Sequence, residues 1–453
     1  MSNQTKYNSY RQTFPEFVYE SYQYDVQPDG LHIVFTFRIG DSICFHPTSV
    51  VVAQPFLHFD QPTELMDLLI FNIGMAELVS YWKCLCPPCV KVECGSLNKS
   101  QRNFWKNVYY HGLGEFFYTN GIEASITDFM DIVAPNEYAP CSLSPSSTAA
   151  NDYLVPIGGG KDSVVTLDLL RENAKGRVVP MIMNPRGATV GCIEAAGYTL
   201  DDVAVVKRSI DPKLLELNSE GCLNGHTPFS AMLAFYTILT AQLSGIGNIA
   251  LSNEDSANEA TVVGTSVNHQ YSKSLAFEND FRHYVDQYVG KGLNYFSFLR
   301  PLSELQIAML FSRTDRYYDI FRSCNVGSKQ DIWCGHCAKC LFAYIILSPF
   351  IPPQRLNAIF GKAMLEDGEL KPIFNQLVGI SDTKPFECVG TIEEVRTALS
   401  LTARRWYSDQ LPTLLKDYPL GEPTTPLDRL SPHHNLNNQE IALLTRYVQA
   451  QRV

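Results

Sequence analysis

From Tyr153 onward the chain alternates short apolar runs with longer helical stretches, a rhythm that few architectures accommodate. "YLVPI", "RVVPMIM", "DVAVV" and "NIALS" read as strands, with "NYFSFL" a weaker fifth. Between them lie "KDSVVTLDLLREN", a short stretch near Ile193, and "PFSAMLAFYTILTAQLSG". For the last, Thr227 is the expected N-cap, Pro228 the first helical residue and Gly245 the residue past the end. Strands alternating with helices predict an α/β fold built on a doubly wound parallel sheet.

The chain has 453 residues, too many for one ordinary core. The segment 1–142 begins with the alternation "LHIVFTFRIGDSICF", which predicts antiparallel strands. Helical patterns follow at "PTELMDLLIFNIGMAELVSYWK" and "KSQRNFWKNVYYHGLGEFFY", so this segment reads as an N-terminal α+β domain. "SLSPSSTAAND" supplies a linker over 143–152. Residues 153–350 are the expected α/β domain, and 351–453 a mainly helical C-terminal region.

The formal net charge of −11 gives no general attraction to nucleic acid, which requires concentrated Lys and Arg. The start, "MSNQTKYNSYRQTFPEF", has no apolar core behind a basic end, and runs such as "AMLAFYTILTAQL" fall short of a membrane span. The expectation is a soluble, cytoplasmic protein without membrane or nucleic-acid partners. Its thirteen cysteines are then reduced or metal-bound.

Gly158, Gly159 and Gly160 separate the first strand of the sheet from its helix in "LVPIGGGKDSVVTLDLL". Ligands of open parallel sheets sit beyond the carboxyl ends of strands, where helix N-termini offer N–H groups to anions. Glycines let the backbone approach phosphate oxygens closely. Lys161 can add charge, Ser163 a hydroxyl, and Asp162 a ligand for a metal. The string is not a Walker A loop, because Asp162 follows Lys161, and it lacks the last glycine of G-x-G-x-x-G. It resembles the PP-loop of the ATP pyrophosphatases, S-G-G-x-D-S, with Gly158 in place of the serine. That resemblance implies an adenine nucleotide alpha hydrolase-like fold, ATP with Mg²⁺, and release of pyrophosphate.

"SCNVGSKQDIWCGHCAKC" places Cys324, Cys334, Cys337 and Cys340 at a spacing that closes four thiolates around a structural Zn²⁺. His336 lies inside the first C-x-x-C and is a poor substitute. The arrangement resembles the zinc site of 7-cyano-7-deazaguanine synthases, over residues 153–345. "CLCPPCVKVEC" at 84–94 is irregularly spaced and reads as incidental thiols.

Other polar residues cluster at expected strand ends: His226 in "LNGHTPFS", Glu254 in "LSNEDSANE", His269 and Lys273 in "SVNHQYSKS", and Arg300 after the fifth strand. Arg186 and Arg208 follow the second and third strands as further anion contacts. Each also has an ordinary reading as a turn cap or solvated charge.

Beyond the loop, "FNIGMAELVSYWK", "GLGEFFYTNGI", "VPIGGGKDSVVTL", "LNGHTPFSA", "LSNEDSANE", "VNHQYSKS", "FLRPLSELQIA" and "KPFECVGT" together resemble the bacterial UDP-N-acetylmuramoyl-L-alanyl-L-glutamate epimerases. The resemblance runs over about residues 65–395. It implies an isomerase of peptidoglycan precursor synthesis that inverts the terminal L-glutamate while ATP becomes AMP and pyrophosphate. Residues 158–163 with Arg186 and Arg300 would hold the nucleotide. Lys161, Asp162, His226, Glu254, His269 and Lys273 are the catalytic candidates, with Cys192 and Cys222 more remote ones. The alternative is an amide- or nitrile-forming synthase of the deazaguanine type, which would capture the same activated carboxylate with ammonia.

Overall fold

A computed structural model of the chain describes residues 2–134, 149–258, 268, 270–381, 383–407 and 409–450. The first part of the expected linker, 143–148, lies outside them. The chain is α/β, and its described strands, in order, are β1 (Glu16–Gln27), β2 (Gly30–Ile39), β3 (Ile43–Phe45), β4 (Thr48–Val52), β5 (Cys89–Val92), β6 (Asp131–Val133), β7 (Ala149–Pro156), β8 (Val178–Met183), β9 (Ala204–Ser209), β10 (Ile246–Leu251) and β11 (Asn294–Ser297). The strands read from the alternating stretch correspond to β7 through β11, including the weaker fifth.

The residues form two compact units, each assembled from three chain segments rather than from one linear stretch. The first comprises Met1–Leu154, Val203–Ile249 and Gln270–Tyr295. Its pairing is mixed. β1–β2, β2–β4 and β4–β9 are antiparallel, whereas β1–β5, β5–β6 and β10–β7 are parallel. The antiparallel strands expected from the alternating stretch are present in β2 and β3, while β5 runs parallel to β1 and β6 parallel to β5, the intervening helices carrying the chain back. The wholly parallel sheet is corrected: β9 runs antiparallel to β4, with Val51 opposite Val206.

The period-two reading of β2 holds. Leu31, Ile33, Phe35, Phe37 and Ile39 are fully buried, and the residues between them are partly exposed. Against this face lies the helix Thr63–Trp82. It is long and apolar enough to cross a membrane by length and composition, yet 83% of its apolar window is buried inside the protein. Gly74 permits that packing, since a Cβ there would collide with Tyr19 of β1 and Phe35 of β2.

Arg208, expected as an anion contact, is instead consumed by Glu77 of this helix. Its Nε donates to one carboxylate oxygen at 2.8 Å and its terminal nitrogen to the other at 2.5 Å. The Glu77 side chain is 1% exposed, so truncation strands a buried guanidinium. Glu77→Ala is expected to destabilise the fold by about 3–5 kcal/mol, read from denaturant unfolding. A loss below about 1 kcal/mol would mean that water reaches the pair.

The second unit comprises Val155–Asp202, Ala250–His269 and Phe296–Val453. In it the N–H of Ile157 donates to Met181 of β8 at 2.8 Å, and that of Phe298 to Leu251 at 2.7 Å. The helix Lys161–Asn173 spans the stretch read from sequence. In the first unit the helix Phe229–Ser244 starts later than expected. Its N-cap is Pro228, not Thr227, whose carbonyl accepts the Phe229 N–H at 2.7 Å. Gly245 ends it in the left-handed conformation, as expected. The region after 350 is mainly helical, with helices Pro353–Phe360, Lys371–Leu377, Ile392–Trp406 and Asn438–Gln449.

Candidate functional site: the glycine loop and the cysteine centre

Residues 158–160 join β7 to the helix Lys161–Asn173, and the three glycines are not equivalent. Gly159 has φ of +80°, and a Cβ there would lie 3.1 Å from the backbone of Ala188 and Thr189. Gly158 has open space around it. A serine hydroxyl would fit at that position, so the departure from the PP-loop pattern at Gly158 carries no steric reason. Gly160 is the N-cap of the helix and supplies no side-chain cap, which leaves the first N–H groups of a thirteen-residue helix to an external acceptor.

The loop carbonyls are held from outside. Arg186 donates to Gly158 O at 2.9 Å, and the backbone N–H of Arg322 donates to Gly159 O at 2.8 Å. Ser163 Oγ donates to Gly160 O at 3.1 Å. These contacts engage the carbonyls of all three loop glycines.

Lys161 is 5% exposed and does not offer a free ammonium. Its Nζ donates to Asp162 at 2.5 Å and to Glu304. Burial opposes the charged amine, but the Asp162 and Glu304 carboxylates outweigh it and hold the lysine protonated. Burial raises the Glu304 carboxyl above its usual range, and the charges of Asp162 and Glu254 add to the rise, while Lys161 offsets it only in part. Glu254 is buried, accepting from Ser256 Oγ at 3.3 Å. Arg300 is fully buried, and donates to the Glu254 carbonyl at 2.5 Å and to Ser297 Oγ at 3.2 Å. In this arrangement it braces the chain beneath Glu254.

The four cysteine sulfurs lie within 4.8 Å of one another. Measured separations are 3.7 Å for Cys324–Cys337, 3.7 Å for Cys334–Cys340 and 3.5 Å for Cys337–Cys340. A tetrahedron with metal–sulfur bonds of about 2.3 Å has edges of about 3.8 Å, so the thiols fit Zn²⁺ with little adjustment. Four sulfurs fill the shell and leave no position for a reacting molecule. His336 is exposed, with Nδ1 on its neighbour's carbonyl, Cys334 O, at 2.9 Å. Among the described residues this is the one group of three or more candidate ligands close enough to hold a metal. The cysteines at 84–94 form no such group.

Sequence reasoning missed how the cysteine segment touches the glycine loop. Arg322 and Ser323 precede Cys324; Ser323 Cβ would lie 3.4 Å from a Cβ on Gly160. Asp331 accepts the N–H groups of Gly187 at 2.8 Å and Ala188 at 3.1 Å, capping the helix Gly187–Ala195. Asp168 is likewise buried, accepting from Arg316 at 2.5 Å and Tyr317 at 2.7 Å. No local spacing announces these pairs.

Of the remaining candidates, His226 and Lys273 belong to the first unit, Cys192 belongs to the second, and His269 is not described. His226 stands 3.7 Å from Glu115, beside Gly225, whose carbonyl accepts from the buried Lys83 at 2.6 Å. Lys273 closes the 3₁₀ turn Tyr271–Lys273, with its N–H on Gln270 O at 2.7 Å. His269 lies outside the described residues. Burial pushes the Cys192 thiol up to about 12, which argues against a proton-transfer role there. In the same unit as His226, His111 has its ring 5.0 Å from Tyr271. Burial lowers its pKa from the usual 6.5, with Asp280 partly opposing. Below about pH 6.5 the unfolded chain therefore binds a proton that the folded chain refuses, and stability falls as pH drops through that window. His111→Phe is expected to flatten this slope between pH 5 and 7 in thermal unfolding, and an unchanged slope would refute the assignment.

Comparison with known proteins matches residues 8–298 to the MurL N-terminal domain and residues 320–417 to the MurL C-terminal domain. Three curated relatives carry the name UDP-N-acetyl-alpha-D-muramoyl-L-alanyl-L-glutamate epimerase. That of Xanthomonas oryzae pv. oryzae is 38% identical, over 85% of this chain and 85% of its own length. That of a Micromonospora species is 37% identical, over 72% and 73%. That of Salinispora tropica is 35% identical, over 71% and 70%.

Proposed function

The chain belongs to the MurL family of UDP-N-acetyl-alpha-D-muramoyl-L-alanyl-L-glutamate epimerases, and from that premise we propose how it inverts the terminal glutamate of a UDP-linked muramoyl dipeptide. The enzyme is an isomerase. The observation that carries this is the 38% identity spread over 85% of the chain. The amide-forming alternative is not favoured, since all three relatives are named epimerases.

The finer reading is that the reaction is driven by ATP bound at a PP-loop. The support is Gly159, whose left-handed backbone packs so closely on the backbone of Ala188 and Thr189 that no side chain fits, which fixes the course of the loop. The uncapped helix N-terminus beyond it suits a phosphate. In this reading the amides of residues 158–163, Ser163 and Arg186 hold the triphosphate, and Asp162, 28% exposed at its side chain, reaches Mg²⁺. Arg300 acts from beneath by fixing the Glu254 turn. A UDP-linked precursor does not cross membranes unaided, which fits action in the cytoplasm.

The chemistry explains why a nucleotide helps. The α-proton next to a carboxylate is hard to remove, because the product gathers a second negative charge. Transfer of AMP from ATP to that carboxylate, with pyrophosphate as the leaving group, neutralises it and lets the adjacent carbanion delocalise as an enolate. After reprotonation, water hydrolyses the acyl-adenylate to the free carboxylate and AMP. Each unit by which the Cα–H pKa falls is worth about 1.4 kcal/mol. Proton removal and return on opposite faces need a base and an acid, or one group with water. Glu254, His226, Lys273 and His269 are the candidates.

The test is incubation with UDP-N-acetylmuramoyl-L-alanyl-L-glutamate, ATP and Mg²⁺ in deuterated water. Inverted glutamate, deuterium at its α-carbon and stoichiometric AMP are expected. Inversion without nucleotide would retain the epimerase and remove the adenylation step.

A further inference from the structure

Glu304 belongs to none of the motifs that define the loop, yet it is the group most closely tied to it. Its side chain is 2% exposed and accepts from Lys161 Nζ, 143 residues earlier in the chain. Glu304 is itself fixed. It heads the helix Glu304–Phe311, capped by Ser303 and Gln306, and its N–H donates to Glu394 at 2.7 Å. The second oxygen of Glu394 accepts the Thr391 N–H at 2.7 Å. A lysine that left this site to meet a phosphate would abandon a carboxylate with almost no access to water, an arrangement that proteins avoid. Lys161 is also the first residue of its helix, so whatever fixes its side chain fixes the turn whose amides face the loop.

We propose that Lys161 is the pin that locks the glycine loop rather than a phosphate ligand, and that Glu304 is the positioning residue that holds this pin. The proposal rests on the nucleotide reading above and narrows it. The phosphates are met by backbone amides, Ser163 and Arg186, while the Lys161 charge is spent inside the protein. Asp162 keeps one oxygen on the ammonium and remains aimed at the loop mouth.

The experiment compares the intact chain with Lys161→Met, Glu304→Leu and the double variant. A buried ion pair can be replaced by an apolar pair of similar volume with little loss, whereas removing one partner strands the other. Each single variant is expected to raise the KM for Mg·ATP at least tenfold, to change kcat less, and to speed amide exchange over residues 158–163. The double variant is expected to return both readouts to within about threefold of the unsubstituted protein. A double variant as weak towards Mg·ATP as Lys161→Met would identify the lysine as a phosphate ligand and overturn the proposal. An unfolded double variant overturns it as well, since the apolar pair is predicted to support the loop. The two readings separate cleanly. If the unsubstituted enzyme binds no Mg·ATP, the nucleotide reading fails; if it binds and the double variant stays as weak as Lys161→Met, the pin alone fails.

Discussion

With the loop holding a nucleotide as proposed, Gly159→Val lowers kcat/KM for epimerisation by about a hundredfold or more while the protein stays folded. The reason is local. At φ of +80° an L side chain is strained whatever surrounds it, and here its Cβ would press on the backbone of Ala188 and Thr189 at 3.1 Å. A β-branched side chain adds two more carbons to that contact, so the loop must shift. Displacing reacting groups by about 1 Å costs on the order of a hundredfold in rate. Gly158→Ser is the control in the opposite direction. Nothing lies within 4 Å of its Cβ, and the substitution should leave kcat/KM within a few fold. Pyrophosphate release and circular dichroism on both variants check the pair. Equal activity of Gly159→Val and the unsubstituted enzyme would dissociate the loop from catalysis.

Loss of a cysteine at the metal centre carries the other large effect. Cys337→Ser and Cys340→Ser should purify without stoichiometric zinc and melt on the order of 10 °C or more below the intact protein. Structural zinc in small sites contributes about 10–16 kcal/mol of folding energy. Even a third of that moves the melting point of a domain of this size by about 10 °C. Metal analysis and thermal scans measure both quantities. The consequence should also reach the loop, because Arg322, two residues before Cys324, holds Gly159 O at 2.8 Å. Metal-depleted protein is therefore expected to show faster amide exchange at residues 158–160. Serine at Cys86 or Cys89, by contrast, should leave the zinc content unchanged. Full zinc binding by Cys337→Ser would mean that the centre is not built from the four thiols.

Much of the fold was legible because it follows from neighbours in the chain. Glycine at 245 stops a helix, and Lys161–Asn173 is rich in apolar residues and buried without a break from Ser163 to Leu170. Cysteines at C-x2-C-x2-C turn their sulfurs inward within a single short segment. Thr227 misled for the opposite reason. A good capping residue lost its place when Pro228 became the N-cap, since capping preferences are worth only about 1 kcal/mol and yield to packing. Arg208 misled more deeply. It looked like an anion contact at a strand end, and it is buried against Glu77, a partner that no local pattern links to it.

Periodicity, glycine breaks and thiol spacing are short-range properties, so reading the residues in order was enough to place β2, the strands β7 to β11, the glycine loop and the cysteine cluster. The partner of each buried charge was not available that way. Whether Lys161 meets solvent or Glu304 depends on which segments fold over it, and the energy of a charge pair is set by burial and distance in space, not by separation along the chain. Folding thus settled that the Lys161 charge is met by Glu304 and Asp162, and the Arg208 charge by Glu77.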